Sequence, residues 1–161
     1  MKKFLWISFS IVIFLFMISF VFFYRIWALE NLTKKQMITN VKKHLPMVTQ
    51  IEQVDYFAGD KVYYVMFAKD RDGDELMIWT NDEELRYRYL DHYLTKEQIK
   101  DLVNRLEKNF TIKRITPGII YQERFIYEVL YEDDEKRLGY IYYDLQTGEF
   151  IKKYRLGITI S

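Results

Sequence analysis

The hydrophobic pattern of the chain opens with an unbroken apolar segment over residues 4–23. These 20 residues include no charged residue, proline or glycine. At about 1.5 Å of helical rise per residue the segment spans roughly 30 Å, the thickness of a bilayer's hydrocarbon core. The apolar part of a cleaved signal peptide is shorter, about 7–15 residues, and ends in small residues. The sequence therefore predicts an uncleaved transmembrane anchor at 4–23.

The charges beside this segment predict its orientation. Lys2 and Lys3 precede it, whereas Arg25 alone follows it directly. Because basic residues concentrate on the cytoplasmic side, residues 1–3 are predicted to be a cytoplasmic tip, with everything after the anchor outside. Tyr24 and Trp27 suit the outer membrane interface. We expect a single-pass protein of the cell membrane with an extracytoplasmic C-terminal domain.

Two later segments begin alike, after a predicted linker at 24–32. Thr-Lys-x-Gln occurs at Thr33 and again at Thr95, 62 residues further on. This spacing fits a capping box, in which the Thr hydroxyl and the Gln side chain satisfy the first free amides of a helix. Apolar residues then recur with helical spacing, and Pro46 ends the first of the two predicted helices.

After each predicted helix the hydrophobic period changes from 3.6 to 2, which is typical of strands. Turn signals occur at Asp72-Gly73 and Thr147-Gly148. We predict an α+β fold with two tandem units, each a helix plus an antiparallel sheet, over 33–94 and 95–161. One such unit has a small core, so the two should pack together. The predicted strands are 48–57, 61–69, 75–80 and 84–89 in the first unit, and 111–116, 124–132, 137–144 and 149–156 in the second.

Composition narrows the function. Beyond the tip, 22 basic residues face 23 acidic ones, so no basic field is present that would attract nucleic acid. The chain has no cysteine, so the domain is expected to fold without disulfides. With 14 Tyr and 12 Phe beside many Lys and Ile, the composition suggests an AT-rich bacterium and, together with the anchor, a Gram-positive surface protein.

No pattern indicates catalysis, a metal or a cofactor. The two histidines, His44 and His92, lie far apart in sequence, and neither Gly-x-Ser-x-Gly nor His-Glu-x-x-His occurs. The acidic segment 70–75 resembles a calcium loop, but glycine stands fourth rather than sixth and Asn81 occupies the position of the bidentate glutamate. A hairpin turn explains it better. We expect a protein that is not an enzyme.

One segment between the units has the composition of an interaction surface. The candidates are Arg86, Tyr87, Arg88, Tyr89, His92 and Tyr93. Tyr and Arg are enriched among residues that dominate binding energy. The alternative is ordinary strand packing, with the tyrosines towards the core and the arginines in water.

The second unit resembles the PepSY module. A Tyr-Glu-Val strand at 127–129 is followed by a charged turn, then by Asp144-Leu-Gln-Thr-Gly-Glu149. In the first unit, 80–83 departs from this ending. The arrangement of tip, anchor, two units and no cysteine is similar to the YpmB family of Firmicutes, also called TseB-like cell-wall elongation regulators. The resemblance implies an extracytoplasmic, non-enzymatic partner of a class B penicillin-binding protein.

Two other functions stay open at this point. PepSY modules in general suggest a peptidase inhibitor or folding aid at the cell surface. A small-ligand receptor would require a genuine pocket between the units.

The charge asymmetry around the anchor leads to a topology prediction. Protease added to intact protoplasts should remove a C-terminal epitope tag from the chain, because the domain is expected outside. A cytoplasmic protein serves as the control for protoplast integrity. Protection of the tag while the control also stays intact would contradict the predicted orientation.

Overall fold

The computed structural model describes residues 2–106, 109–121 and 123–159, with side chains from residue 12 to residue 156 over these ranges. It divides into two compact bodies, residues 1–40 and 41–161. The terms first unit and second unit keep their meaning of residues 33–94 and 95–161. The helices are α1 (Lys2–His44) and α2 (Lys96–Leu106). The strands are β1 (Gln50–Ala58), β2 (Val62–Lys69), β3 (Glu75–Thr80), β4 (Leu85–Tyr89), β5 (Phe110–Ile120), β6 (Arg124–Asp133), β7 (Arg137–Asp144) and β8 (Phe150–Thr159).

Helix α1 is continuous through the predicted linker, and the capping box predicted at Thr33 is wrong. The Thr33 hydroxyl donates to the carbonyl of Leu29, at 3.0 Å, as it does inside a helix. The reason is local, since residues 24–32 contain no proline or glycine that would interrupt the anchor helix. The anchor and the first predicted helix are therefore one element.

The described part of α1 contains a candidate membrane span within Val12–His44, judged by length and apolar character. Its large apolar side chains are exposed, including Phe16 and Phe23 with 75% and 70% of their surfaces accessible. Exposed aromatic and aliphatic side chains on all sides of a long helix suit a hydrocarbon environment.

Both predicted sheets are present, which confirms the α+β fold. Each is a four-stranded antiparallel meander, with the orders β1-β2-β3-β4 and β5-β6-β7-β8. A 3₁₀ turn at Leu90–His92 connects the first sheet to α2. In a meander of this kind the first and last strands are edges, so β4 has a neighbouring strand on one side, β3.

The capping box predicted at Thr95 is confirmed. The Thr95 amide donates to Oε1 of Gln98, at 2.8 Å, and the Gln98 amide donates back to the Thr95 hydroxyl, at 3.2 Å. Helix α2 buries Ile99 and Val103 completely. The Tyr127 hydroxyl of β6 donates to the Leu94 carbonyl just before the helix, at 2.8 Å.

Side chains with backbone-capping oxygens build the hairpin turns. In the second unit, Oδ1 of Asp144 accepts from the amides of Gln146 and Thr147, both at 3.0 Å, and Gly148 has a φ of 70°. In the first unit, Oδ1 of Asn81 accepts from the amides of Glu83 and Glu84, both at 2.9 Å. Asn81 thus supports its turn as Asp144 does, although the PepSY-like ending is missing there.

Aromatic side chains join the two sheets into one core. The Trp79 ring of β3 lies edge-on to Phe125 of β6, with centroids 4.7 Å apart. The Phe57 ring of β1 lies against Gly118 of β5, so closely that a Cβ atom at Gly118 would overlap it. Both Phe57 and Trp79 are essentially inaccessible to water, at 1% and 0% exposure. The sheets therefore share one hydrophobic core.

The contact of Phe57 with Gly118 predicts a coupled pair of substitutions. Gly118→Ala should lower the free energy of unfolding by about 1–3 kcal/mol, because the added methyl overlaps a buried ring that has little room to move. Phe57→Leu should cost less in the Gly118→Ala background than in the wild type, since the smaller side chain relieves the overlap. Denaturant unfolding of the detergent-solubilised chain measures both. Additive effects would contradict the contact.

Candidate interaction groove on strand β4

All six candidate residues of the sequence analysis line one open groove. It has a volume of about 600 Å³ and runs along the edge strand β4 and the following 3₁₀ turn. The full lining is Leu85, Arg86, Tyr87, Arg88, Tyr89, His92 and Tyr93. The structure thus brings the six together, and their role in binding stays a prediction.

Side chains alternate across β4, but only partly as ordinary packing predicts. Tyr87 pairs with Ile78 of β3, whereas Arg86 and Arg88 pair with Trp79 and Met77. Directly paired residues share a face, so the arginines lie on the face of Trp79, which contacts the second sheet. Tyr87 keeps 36% of its surface exposed on the other face. The packing alternative is met in part: Arg88 is exposed and Tyr89 half-buried, as it predicts, whereas Tyr87 is exposed and Arg86 half-buried.

The side chains of the two tyrosines of β4, Tyr87 and Tyr89, differ in how firmly neighbouring groups hold them. Their rings make an edge contact, with centroids 6.1 Å apart. The Tyr89 hydroxyl donates to Oδ2 of Asp70, at 3.2 Å, and burial together with this carboxylate raises the pKa of Tyr89. Oδ1 of Asp70 accepts from the amides of Asp72 and Asp74, at 3.0 and 2.9 Å. Asp70 thus serves a hairpin turn and anchors Tyr89, which leaves Tyr87 as the more available ring.

Arg86 is held in place by carboxylates from two directions. Its Nη2 atom lies 2.8 Å from Oε2 of Glu84, and its Nη1 and Nη2 atoms each lie 2.6 Å from a carboxylate oxygen of Glu123. Hydrogen bonds to Glu123 and then to Glu84 raise the pKa of Arg86 further above its ordinary value. Its charge is therefore largely neutralised within the chain.

Arg88 has different partners. Its guanidinium carbon lies 4.7 Å above the centroid of the Phe125 ring, and its Nη1 atom donates to the carbonyl of Tyr87, at 2.8 Å. Across residues 12–106, 109–121 and 123–156, no carboxylate lies within ion-pair distance of it. Arg88 thus provides the groove with a positive charge that no acidic side chain neutralises directly.

The 3₁₀ turn forms one end of the groove. His92 is largely exposed, with its Nε2 atom 3.2 Å from Oδ2 of Asp91. Tyr93 is half-buried and packs against the shared core. The turn therefore contributes one accessible polar ring and one ring anchored in the domain.

A smaller cavity of about 200 Å³ lies beside the groove and shares Arg86 with it. The Tyr63 hydroxyl and Nζ of Lys61 reach Oε1 of Glu84 there, at 2.5 and 3.0 Å. These hydrogen bonds, from Tyr63 first and then Lys61, lower the pKa of Glu84 to about 2. The whole lining is Asp60, Lys61, Tyr63, Glu84, Arg86, Ile119, Ile120, Tyr121 and Glu123. Sequence patterns gave no sign of this network, because its members come from turns far apart in the chain.

The carboxylate of Glu128 is buried in the other sheet, away from the groove. Oε2 of Glu128 accepts from the Tyr142 hydroxyl, at 2.9 Å, and Nη2 of Arg114 lies 3.4 Å from Oε1. Burial raises the pKa of Glu128 despite these partners. The Tyr142 hydroxyl is also bonded to that of Tyr154, at 2.8 Å. Both carboxylate oxygens of Glu128 thus have partners within the chain. The sequence analysis included this residue in the Tyr-Glu-Val motif but did not predict its burial.

Metal binding finds little support. Among the described residues, no three or more His, Asp or Glu side chains are grouped so that they could hold an ion. The acidic loop at 70–75 uses Asp70 for turn amides, and Gly73 has a φ of 89°. The β4 groove presents aromatic rings and cationic side chains.

Comparisons with known proteins identify one similar fold. No family model matches the chain, and no curated protein matches it. Among solved structures, the chain is similar to the YpmB protein from Bacillus subtilis, with a TM-score of 0.65 and 20% sequence identity. The match covers 76% of this chain and 96% of that one. It shows that the two share an architecture.

The lowered pKa of Glu84 predicts a pH-dependent contribution to stability. A carboxyl group whose pKa falls on folding from 4.5 to about 2 stabilises the folded state above pH 4.5, and this contribution is lost as the pH falls through about 2. Glu84→Gln should therefore cost on the order of 1–3 kcal/mol at pH 7 and little near pH 2. Denaturant unfolding at several pH values measures the difference from wild type.

A neighbouring glutamate provides the matched control. Glu83 is 79% exposed at its side chain and lies 3.9 Å from Nζ of Lys61. Glu83→Gln should change the stability by less than about 0.5 kcal/mol at any of these pH values. A pH-independent cost for Glu84→Gln would show that its charge does not stabilise the fold.

Proposed function

We propose that this protein is a membrane-anchored interaction module that acts outside the cytoplasm and binds another membrane protein through the β4 groove. The observation that carries the proposal is the groove itself, which is open and lined by aromatic and cationic side chains. Interaction hot spots are enriched in Tyr and Arg. The candidate membrane span in α1 supports the anchored part of the proposal.

Anchoring makes a modest groove sufficient for binding. A partner confined to the same membrane is present at a high effective concentration, so a weak contact is occupied without tight intrinsic affinity. The groove is short, because β4 has five residues. A transient or low-affinity contact is what such a surface supports.

The partner we propose is a class B penicillin-binding protein, so that the module regulates cell-wall elongation. Two observations support this choice. The PepSY-like motif and the arrangement of anchor and units resemble the YpmB family, and the fold is similar to that of the YpmB protein from Bacillus subtilis. The proposal assigns the groove a binding role and no catalytic one.

The cavity beside the groove weighs against a small-ligand receptor. Its volume of about 200 Å³ lies below the roughly 300–1,000 Å³ of typical ligand pockets, whereas the about 600 Å³ of the β4 groove lies within that range. Its charged lining is also paired internally, since Glu84 and Glu123 both contact Arg86. The open groove suits a protein segment better.

Site-specific crosslinking in living cells tests the proposal. A photoreactive phenylalanine analogue at Tyr87 should capture a penicillin-binding protein, identified by mass spectrometry. The matched control is Tyr56 of β1, at the opposite edge of the same sheet and 51% exposed, where we expect at least about fivefold less of that product. Capture of a metalloprotease at Tyr87 would favour the inhibitor function instead. Equal capture at both positions would contradict the groove as the binding surface.

A further inference from the structure

The edge of β4 presents outward-pointing backbone hydrogen-bonding groups at alternate residues. In the β3–β4 hairpin, the Asn81 amide donates to the Glu84 carbonyl, at 3.0 Å. Hydrogen-bonded pairs alternate along an antiparallel ladder, so Arg86 and Arg88 bond to Trp79 and Met77. The amides and carbonyls of the residues between them then point away from β3. These residues are Leu85, Tyr87 and Tyr89.

One contact supports this assignment independently. Nη1 of Arg88 donates to the Tyr87 carbonyl, at 2.8 Å, which places that oxygen outside the ladder. The groove is also lined by side chains from both faces of β4, Tyr87 from one and Arg88 from the other. A groove lined from both faces runs along the strand edge rather than over one face of the sheet.

We propose that the β4 edge accepts an extended segment of the partner protein as a fifth strand of the first sheet, with alternating acidic and apolar residues in that segment. The inference rests on the proposed function and specifies its mode of binding. Strand addition provides affinity through main-chain hydrogen bonds and specificity through alternate side chains.

The positive charge of Arg88 is the reason that we expect acidic residues in the added segment. When Tyr87 forms a hydrogen-bonded pair with the added strand, Arg86 and Arg88 fall in the non-hydrogen-bonded pairs, where opposing side chains come closest. Arg86 is already neutralised by Glu84 and Glu123. A carboxylate opposite Arg88 would give that cation the acidic partner that the described chain does not supply. The apolar residues of the segment would lie beside Tyr87.

Binding of the added strand requires the Arg88 guanidinium to leave the Tyr87 carbonyl. The guanidinium covers the Tyr87 carbonyl in the free protein. An added strand needs that carbonyl as an acceptor, and its carboxylate offers the guanidinium a charged replacement. The exchange gives the guanidinium an ionised acceptor in place of a neutral carbonyl, and Arg–carboxylate pairs can form two parallel hydrogen bonds, so it favours an acidic strand over a neutral one.

A second copy of this chain fits the edge poorly. The antiparallel register that pairs all five residues of β4 with β4 of another copy centres on Tyr87. It places Arg86 of one copy opposite Arg88 of the other, twice. Because Glu84 and Glu123 neutralise Arg86, the repulsion between these arginines is reduced, but Arg88 still meets an arginine rather than a carboxylate directly opposite it. An acidic segment therefore complements Arg88 better than a second copy of β4 does.

Synthetic peptides test the proposal on the full-length protein in detergent micelles. The probe is a capped peptide of alternating Val and Glu, and its control is the same peptide with Lys in place of Glu. We expect the Val–Glu peptide to slow hydrogen exchange at the amides of Leu85, Tyr87 and Tyr89, and to bind at least about tenfold more tightly than the Val–Lys peptide. No added protection at these amides would overturn the proposal.

Backbone substitutions separate strand addition from side-chain contact. Tyr87→Pro removes an outward amide while leaving the ladder to β3 intact, as proline is tolerated on edge strands. It should weaken Val–Glu binding at least about tenfold, whereas Tyr87→Ala, which keeps the amide, should weaken it less than about threefold. Equal loss in the two variants would show that the ring, not the edge, binds.

A charge reversal keeps the test valid even if the proline variant unfolds. Arg88→Glu should exchange the preference, so that the Val–Lys peptide binds more tightly than the Val–Glu peptide. An unchanged preference would overturn the assigned role of Arg88. Dimerisation through β4, detected by sedimentation and abolished by Tyr87→Pro, would replace the peptide segment with a second copy as the occupant.

These outcomes are distinct from those that test the proposed function. If Tyr87 captures a penicillin-binding protein in cells but neither peptide protects the β4 amides, the function stands and strand addition fails. If the peptides bind as expected but no penicillin-binding protein is captured, the edge binds extended segments and the proposed partner is wrong.

Discussion

The fold depends on a constraint common to small sheets, which is that neither sheet can bury its apolar face alone. Each meander has four strands, and the first unit has no helix of its own after the 3₁₀ turn other than α2, which packs with the second sheet. Phe57 and Trp79 resolve this by inserting into the second unit, against Gly118 and Phe125. A large aromatic ring opposite a glycine is a local fit that few other residue pairs would reproduce.

That shared core also determines what β4 can do. Because Trp79 and its neighbours on β3 are covered by the second sheet, Arg86 and Arg88 are drawn to the same covered face and find partners there in Glu123 and the Phe125 ring. The strand is therefore held firmly on its inner side. Within the described residues no further strand pairs with its outer edge, so the backbone groups there point outwards, with the Tyr87 carbonyl covered by Arg88. Rigid surfaces bind with a smaller loss of conformational entropy than mobile ones.

The sequence predicted most of the fold because strand periodicity and turn chemistry are local. All eight strands lie within a few residues of their predicted positions, and the cap at Thr95 follows from residues three positions apart. The same motif failed at Thr33, where an uninterrupted apolar helix arrives from the N-terminal side and overrides the cap. Propensity and motif signals are weak priors that the flanking sequence can override.

The candidate groove was predicted in its residues but not in its geometry. Composition alone predicted an interaction surface at Arg86 and its neighbours, because aromatic and cationic residues cluster there. Which face each side chain occupies depends on the covering sheet, which lies far away in sequence. Glu123 was missed for the same reason, because it approaches Arg86 from a hairpin 37 residues further along the chain. Long-range packing of this kind leaves no periodic signal.

An exposed strand edge can also pair with unwanted strands, and Arg88 affects both this unwanted pairing and the binding of a partner. Free edges template aggregation unless charge, proline or covering elements block them. The contact of the Arg88 guanidinium with the Tyr87 carbonyl occupies the central acceptor of the edge, and an identical edge would place an arginine rather than a carboxylate opposite Arg88. Neither feature excludes an acidic strand. Its carboxylate can draw the Arg88 guanidinium away from the Tyr87 carbonyl, and the positive charge of Arg88 attracts that carboxylate. The residues that protect the edge from its own copies are thus the ones that would select a partner.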